Sequence, residues 1–526
     1  PKAKSSTSLT DAAATKAYLD ELLQPDHMSA VTGGHGANCQ YCKGLAHQIN
    51  LGLTSLATRK ALDPGDWELD EFIGAAIKHT IMHEVGHTLG LRHNFKASAY
   101  RTLAELNSKK LGKDDCLSTS VMDYLAINIA PKGVTQGKYY DDTIGPYDYW
   151  AISYGYKPLK AARPEDELKE LGKIARRCTE PQLAYASDED YQPFHNRDLD
   201  PLVNAWDLGK EPMLWCEQRL GLIRYLFDGL TERVVKRGKP FYRARASFTG
   251  LLREYRMLLG FIARYIGGQY VSRHHFEGNA QSASDAKNGK GKKAAAGKEQ
   301  EKAAAAALEI ARTTHTFTLV SAEKQRKALA LLTEHGLSCK YFDFPPELLN
   351  SLAPDWRDNW ESPIWRQVRL DYPLHSQIEK VNAATLARLY NSAIARRILD
   401  AEKKVEKGKD ALKLEELYAT VTKACWSEVQ QAAAKKTQLG EIDSYRRGVQ
   451  RWQIKILGMN LLGTNGSQPE DAKALAWHEL KSIKLLIERA LKRVKKGTSV
   501  MTRTHLEETV ARIDKILEAR LTLMSH

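Results

Sequence analysis

The chain has 526 residues, long enough for two or three domains, and its 43% hydrophobic and 27% charged content is ordinary for a globular protein. It contains no run of about 18 apolar residues, so we expect no transmembrane segment. The formal net charge of +14 lies outside residues 1–150, but Glu interleaves with the Lys and Arg and no nucleic-acid-binding signature is present, so we expect no nucleic-acid partner.

The first predicted elements are helices separated by polar turns. Residues 1–24 are expected to run from coil into a helix, residues 44–60 to form a second helix, and Asp63-Pro64-Gly65-Asp66 to form a turn. Residues 141–158, rich in Tyr, Gly and Asp, are expected to be irregular but well packed. Helical spacing predicts one long helix from about residue 70 through Phe72, Ile73, Ala76, Ile77, Ile81, Val85 and Leu89.

The rest of the chain is expected to be mostly helical, with little strand. The expected fold class is α+β and predominantly helical. We divide the chain into residues 1–160, which carry the motif described below, and residues 161–278, a mostly helical region packed on them. Residues 279–307 are a low-complexity flexible insertion, and residues 308–526 an α-helical C-terminal domain. A strand is expected at residues 315–320.

One stretch combines residues that bind metals: His83-Glu84-Val85-Gly86-His87-Thr88-Leu89-Gly90-Leu91-Arg92-His93. On a helix, His83 and His87 lie one turn apart on the same face, so both imidazoles can reach one zinc ion. Glu84 lies about 100° around the helix from His83, beside the metal position. That position suits a base that acts on water rather than a ligand.

The third histidine requires the helix to break. On a continuous helix His93 would lie about 15 Å along the axis from His83 and on another face. Gly90, between His87 and His93, accepts the left-handed conformation that ends a helix and lets the chain fold back. The spacing therefore predicts a zinc site formed by His83, His87 and His93. The alternative, ordinary histidines on an amphipathic helix, requires the whole pattern to arise by chance.

A second segment, Ser120-Val121-Met122-Asp123-Tyr124, follows, with Met122 29 residues after His93. Together with the long motif it resembles the metzincin clan of zinc endopeptidases. The resemblance implies that Met122 forms a floor beneath the three imidazoles. It also implies that Tyr124 lies near zinc, where it ligates the resting metal or hydrogen-bonds the tetrahedral intermediate. An ordinary packed Met and a buried structural Tyr are the alternatives.

More narrowly, His93-Asn94-Phe95 and Gly145-Pro146-Tyr147-Asp148-Tyr149-Trp150-Ala151 are similar to a family of large bacterial zinc-dependent metalloproteases with flanking domains of unknown function. Its members are usually exported, which implies a periplasmic or extracellular location. Asn94 departs from the Glu, Asp, Ser or Pro that better-known metzincin subfamilies carry after the third histidine. Metzincins also place a twisted sheet before the active-site helix, whereas residues 1–69 show at most one strand candidate. We therefore expect that sheet in a missing N-terminal part of the same protein.

Three further groups of residues have alternative interpretations. His79 lies one turn before His83 on the same face and is expected not to bind the metal. A second group is His35, Cys39, Cys42 and His47. It could form a second zinc site, or the cysteines could form a disulfide or remain thiols, with the histidines unrelated to them. A third group contains five acidic residues: Asp188, Glu189, Asp190, Asp198 and Asp200. They could bind calcium or be ordinary surface carboxylates.

These residues imply a zinc-dependent endopeptidase with a peptide or protein substrate. Glu84 would take a proton from a zinc-activated water and pass it to the leaving amine, while Tyr124 steadies the oxyanion. A purely structural zinc is satisfied by four protein ligands and has no use for Glu84. The alternative is a binding or assembly module whose peptidase-derived zinc site is inactive in this part of the protein.

Overall fold

The architecture comes from a computed structural model, which describes residues 40–58, 67–191, 198–273, 316–355, 370–434 and 438–519. Within these ranges the protein is predominantly helical, and its strands are one short antiparallel pair, β1 (Gln269–Val271) and β2 (Phe317–Leu319). The predicted α+β, mostly helical fold class is confirmed, and the strand predicted at 315–320 is present as β2.

Several predictions concern residues outside the described ranges. These are the initial coil and helix of residues 1–24, the turn at residues 63–66 and the flexible insertion at residues 279–307.

The N-terminal part of the described chain has two long helices followed by a largely irregular stretch. Its helices are α1 (Gln40–Thr58), α2 (Trp67–Thr88), α3 (Leu103–Leu106) and α4 (Pro146–Tyr156). The helix predicted from apolar spacing is α2, and the one predicted at residues 44–60 is α1. The prediction of irregular chain over residues 141–158 is wrong at α4. Pro146 takes the first helical position and Asp148 accepts the Gly145 N–H at 2.9 Å, and together these features start a helix.

The middle and C-terminal parts are built from packed helices, and no helix in the described ranges has the length and apolar character needed to cross a membrane. The middle part contains 3₁₀ turns at Pro164–Glu167, Arg176–Thr179 and Pro181–Leu183, and α5 (Leu168–Ala175), α6 (Asp188–Tyr191), α7 (Pro212–Phe227), α8 (Leu230–Val234) and α9 (Tyr242–Ala263). The C-terminal part contains α10 (Ala322–Gly336), α11 (Pro346–Asn350), α12 (Leu374–Leu389), α13 (Ser392–Lys404), α14 (Leu414–Cys425), α15 (Ser427–Ala433), α16 (Ser444–Leu461), α17 (Glu470–Leu491) and α18 (Val500–Glu518).

One continuous hydrophobic core joins these parts. Leu51 of α1 and Phe72 of α2 belong to the same buried cluster as Leu258 of α9 and Leu457 of α16. Helix α9 is central, because it packs against α1, α7, α10 and α12. The irregular stretch that follows α2 is thereby backed by a rigid helical body. The division into regions at residues 160, 278 and 307 stays a prediction.

A buried set of charges also ties the first helix to this body. Glu254 of α9 is fully buried and accepts hydrogen bonds from His47 Nε2 at 2.9 Å and from Arg219 Nε at 3.2 Å. Arg219 in turn donates to the Ile127 carbonyl at 2.8 Å. Burial raises the pKa of Glu254, but the His47 hydrogen bond and the Arg219 charge outweigh burial and hold the pKa below its ordinary value. His47, a candidate ligand for a second zinc site, is therefore hydrogen-bonded to Glu254.

Candidate metal centre

The first two histidines of the motif project from the last two turns of α2. Their ring centroids are 4.7 Å apart and the rings are nearly perpendicular, at 89°. The helix then ends as predicted: Gly90 has φ +81°, its N–H donates to the His87 carbonyl, and the Leu91 N–H donates to the Gly86 carbonyl. This pair of bonds around a left-handed glycine is the Schellman arrangement, which turns the chain back sharply.

The turn returns His93 to the other two histidines. Its ring centroid lies 5.5 Å from that of His83 and 4.8 Å from that of His87. One nitrogen from each of the three imidazoles lies within 4.8 Å of the others, and among the described residues this is the one group of His, Cys, Asp or Glu side chains able to hold a metal ion. The structure therefore brings together the three residues predicted as ligands.

The other ring nitrogen of each histidine is occupied. His83 Nδ1 lies 2.8 Å from the Val121 carbonyl, and His87 Nδ1 lies 3.0 Å from the Leu91 carbonyl. Because a carbonyl oxygen only accepts, we assign the ring proton of both residues to Nδ1. The lone pair of each Nε2 is then left for a metal, which is the tautomer that a zinc ligand requires. Burial, with smaller contributions from the neighbouring histidines, lowers the pKa of His83 to about 3, so this imidazole is neutral.

Met122 lies directly against the motif helix. It is fully buried, and a Cβ placed on Gly86 would lie 2.2 Å from its sulfur. The Met122 carbonyl also accepts the Asn94 N–H at 3.0 Å, which binds the turn to the residue after the third histidine. Sequence reasoning missed Gly86, although a glycine between two histidines of a helix is itself a sign of close approach.

The position of the turn is fixed by a buried carboxylate from α4. Asp148 accepts hydrogen bonds from Ser120 Oγ at 2.6 Å, from the Val121 N–H at 3.0 Å and from the Gly145 N–H. Burial raises the pKa of Asp148, and these three donors counteract that effect. Since the Val121 carbonyl holds His83, Asp148 supports the metal centre through the turn. Sequence reasoning included Asp148 only as part of a family-like segment and assigned it no role.

Asp123, inside the same turn, is also buried. Its Oδ2 accepts the Ser98 N–H at 2.8 Å, while Ser98 Oγ donates to Asp207 at 2.7 Å. Burial and then the charge of Asp207 raise the pKa of Asp123 well above its ordinary value. Ser98 thus joins the turn to the segment around residue 207.

Tyr124 packs beside two of the three histidines. Its ring centroid is 4.7 Å from that of His93 and 5.5 Å from that of His83. Its carbonyl accepts the Trp206 N–H at 2.6 Å, and Trp206 adopts φ +70°, a conformation that non-glycine residues rarely take. Such a strained backbone persists only where its surroundings hold it, and here it places an indole against the Tyr124 ring at 5.3 Å.

Tyr41 was missed by sequence reasoning, which considered its segment only for cysteines. Its ring stacks on His83 at 4.9 Å with an interplanar angle of 5°, and it also contacts the Tyr124 ring at 5.0 Å. Spacing gives no signal for this contact, because Tyr41 comes from a different helix.

The other candidate residues that the structure describes form no second metal cluster. His79 is buried and stacks on Tyr140 at 5.7 Å, and burial lowers its pKa to about 4. His35 and Cys39 lie outside the described residues, and Cys42 is exposed. The acidic residues do not converge on one point. Asp188 contacts His93 and Arg92, Glu189 contacts Arg92, Asp190 contacts Arg273, Asp198 contacts Arg397 and Asp200 contacts Lys96.

Glu84 follows His83 in α2 and is exposed. Comparison with known families matches residues 66–314 and 303–433 to the family described as Met-zincin, DUF4953. Comparisons with curated proteins and with solved structures gave no significant match.

Proposed function

The chain belongs to the Met-zincin family, and from this premise we propose that it is a zinc-dependent endopeptidase whose metal is held by His83, His87 and His93. The observation that carries the proposal is the convergence of three imidazoles, two of which have Nδ1 occupied by a backbone carbonyl. Three imidazole nitrogen donors fit a catalytic zinc, which leaves a fourth position for water or substrate.

When bound there, zinc supplies Lewis acidity, which polarises a carbonyl and lowers the pKa of water. The role of Glu84 is to take the proton of the attacking water and deliver it to the leaving amine, because Glu84 directly follows His83 on α2 and is open to solvent. The role of Tyr124 is to donate its hydroxyl proton as a hydrogen bond to the developing oxyanion. The substrate is a peptide or protein, and the family resemblance favours a periplasmic or extracellular location.

The same helix has an exposed apolar row that bears on whether this chain acts alone. Five large aliphatic side chains, each 41–57% exposed, recur every fourth residue along α2 and at the residue that follows its end: Ile73, Ile77, Ile81, Val85 and Leu89. Exposed apolar surface of this extent is unusual for a protein without a partner. We call these five residues the apolar ridge and propose that the expected upstream sheet of the same protein packs on it.

The alternative function, a binding module with an inactive zinc site, makes a different prediction for Glu84. We expect Glu84→Gln to retain zinc and to lose about 10²–10⁴-fold in peptidase rate, the range for a positioned general base. Glu71→Gln, an exposed glutamate earlier on the same helix, is the matched control and should behave like the parent.

The measurements are zinc content by metal analysis and turnover on a peptide library, with His93→Ala as the metal-site control. Unchanged zinc content in His93→Ala would contradict the metal assignment. Zinc bound to the parent, with equal rates for the parent and Glu84→Gln, would contradict the role of Glu84 and favour the binding module.

A further inference from the structure

The third histidine is supported differently from the other two. Backbone carbonyls hold Nδ1 of His83 and His87, whereas His93 Nδ1 lies 2.8 Å from Oδ1 of Asp188. Asp188 is 95 residues further along the chain and belongs to α6, outside the motif. A carboxylate on the outer nitrogen of a metal-binding imidazole fixes the ring orientation and makes the inner nitrogen more basic.

Asn94, the residue that departs from better-known subfamilies, brings this carboxylate to His93. Its buried side chain donates from Nδ2 to the Ala184 carbonyl at 3.2 Å and accepts the Ala186 N–H at Oδ1 at 3.1 Å. The Phe95 N–H donates to the Ala186 carbonyl at 2.8 Å. Together these bonds pair residues 184–186 with the chain just after His93, two residues before Asp188. An Asp at position 94 would lack the donor for Ala184.

The carboxylate of Asp188 is itself held in place. Its Oδ2 accepts hydrogen bonds from Arg92 Nη2 and from Ser187 Oγ, each at 3.3 Å. Arg92 also donates from Nη1 to Glu189 at 2.7 Å, and Asp190 accepts the Ser187 N–H at 3.0 Å. The residues before and after Asp188 are therefore both held by hydrogen bonds. This fixes the position of the Asp188 carboxylate, as orientation of the His93 ring requires.

We propose that Asp188 is a positioning residue for His93, and that Asn94 positions the segment that carries it. This inference rests on the proposed zinc site and deepens it. The metal centre then extends beyond the motif and its turn into the region after residue 160.

The experiment measures the zinc dissociation constant of the full chain by competition with a chromophoric chelator. Asp188→Ala is expected to weaken zinc binding about 10–100-fold, the usual effect of losing such an outer partner. Asp188→Asn keeps the shape and removes the charge, so it should lie between Asp188→Ala and the parent. Glu170→Gln, the control, removes an exposed carboxylate charge that pairs with Lys173 and should match the parent.

Two further readouts separate positioning from general damage. The visible absorption of the cobalt(II) form reports ligand geometry, and it should change in Asp188→Ala but not in Glu170→Gln. Asn94→Asp should weaken zinc binding in the same direction, and adding Asp188→Ala to it should cause little further loss, because both act through one contact.

The outcomes are distinct. A parent that binds zinc, with Asp188→Ala and Asp188→Asn both at parental affinity and parental cobalt spectrum, would overturn the inference and leave the proposed function intact. A parent that binds no zinc would overturn both. Thermal unfolding of the zinc-free proteins checks that each variant is folded. If Asp188→Ala does not fold, the zinc affinity and cobalt spectrum of Asp188→Asn decide the test.

Discussion

Replacing Gly86 by Ala tests the contact between the motif helix and the Met122 turn. Inside an ordinary helix, Gly→Ala stabilises by about 0.5–1 kcal/mol, because Ala loses less backbone entropy on folding. At Gly86 the new Cβ would lie 2.2 Å from Met122 Sδ, and Met122 is fully buried. Overpacking of this kind costs about 1–3 kcal/mol. We therefore expect a net destabilisation of about 1–2 kcal/mol, since the clash exceeds the helix gain.

Gly74→Ala is the matched control on the same helix. Gly74 is exposed, and a Cβ placed there meets no atom within 4 Å. The same substitution should therefore stabilise the protein at position 74 and destabilise it at position 86. The assay is urea unfolding followed by circular dichroism, with a chelator present so that metal binding does not add to stability.

A third variant identifies the contact responsible. In a Met122→Ala background the sulfur is gone, so Gly86→Ala should lose its penalty, and the two substitutions should be strongly non-additive. The reasoning fails if Gly86→Ala raises the unfolding midpoint as Gly74→Ala does. It fails equally if the penalty at position 86 persists when Met122 is Ala.

Three more predictions concern the oxyanion, the buried charges and the apolar ridge. Tyr124→Phe should retain zinc and lower turnover about 10²–10³-fold if its hydroxyl acts in the transition state; a loss below tenfold in steady-state kinetics makes it a structural aromatic. Because His47 and Arg219 hold the pKa of Glu254 below its unfolded value, the ionised carboxylate stabilises the fold above that unfolded pKa, and the stabilisation is lost as pH falls through the folded pKa. Glu254→Gln should thus reduce stability at neutral pH and flatten its acid dependence in unfolding curves; an unchanged pH profile would refute the linkage. Ile81→Ser on the ridge, 57% exposed, should change stability by less than about 0.5 kcal/mol. Phe72→Ala, on the buried face of the same helix, should lower the free energy of unfolding by about 3–5 kcal/mol. If Ile81→Ser and Phe72→Ala lower it by similar amounts in urea unfolding, the assignment of the exposed and buried faces is wrong.

Much of the metal centre was predictable because it is encoded locally. The helical period places His83 and His87 on one face, and Gly90 ends the helix where His93 must turn back. Dihedral preferences and a fixed rise per residue act over a few positions, so a short stretch of sequence is enough to predict where the three histidines lie along the chain's local structure. The helical character of the fold followed from apolar periodicity for the same reason. The helix at α4 was missed because Tyr and Gly are weak helix formers, and its start depends on the bond between Asp148 and the Gly145 N–H.

What surrounds the histidines was decided by tertiary structure alone. Tyr41 stacks on His83 from another helix, Trp206 supports Tyr124 from a strained backbone, and Asp188 reaches His93 across 95 residues. No periodicity relates residues that far apart, because their approach depends on how the helices pack around α9 and how the irregular chain is pinned to them. The sequence by itself therefore determined which residues can bind a metal and how their helix ends. Packing determined which nitrogen each histidine offers, since that choice depends on acceptors, such as the Val121 carbonyl and Asp188, that only the folded chain brings near.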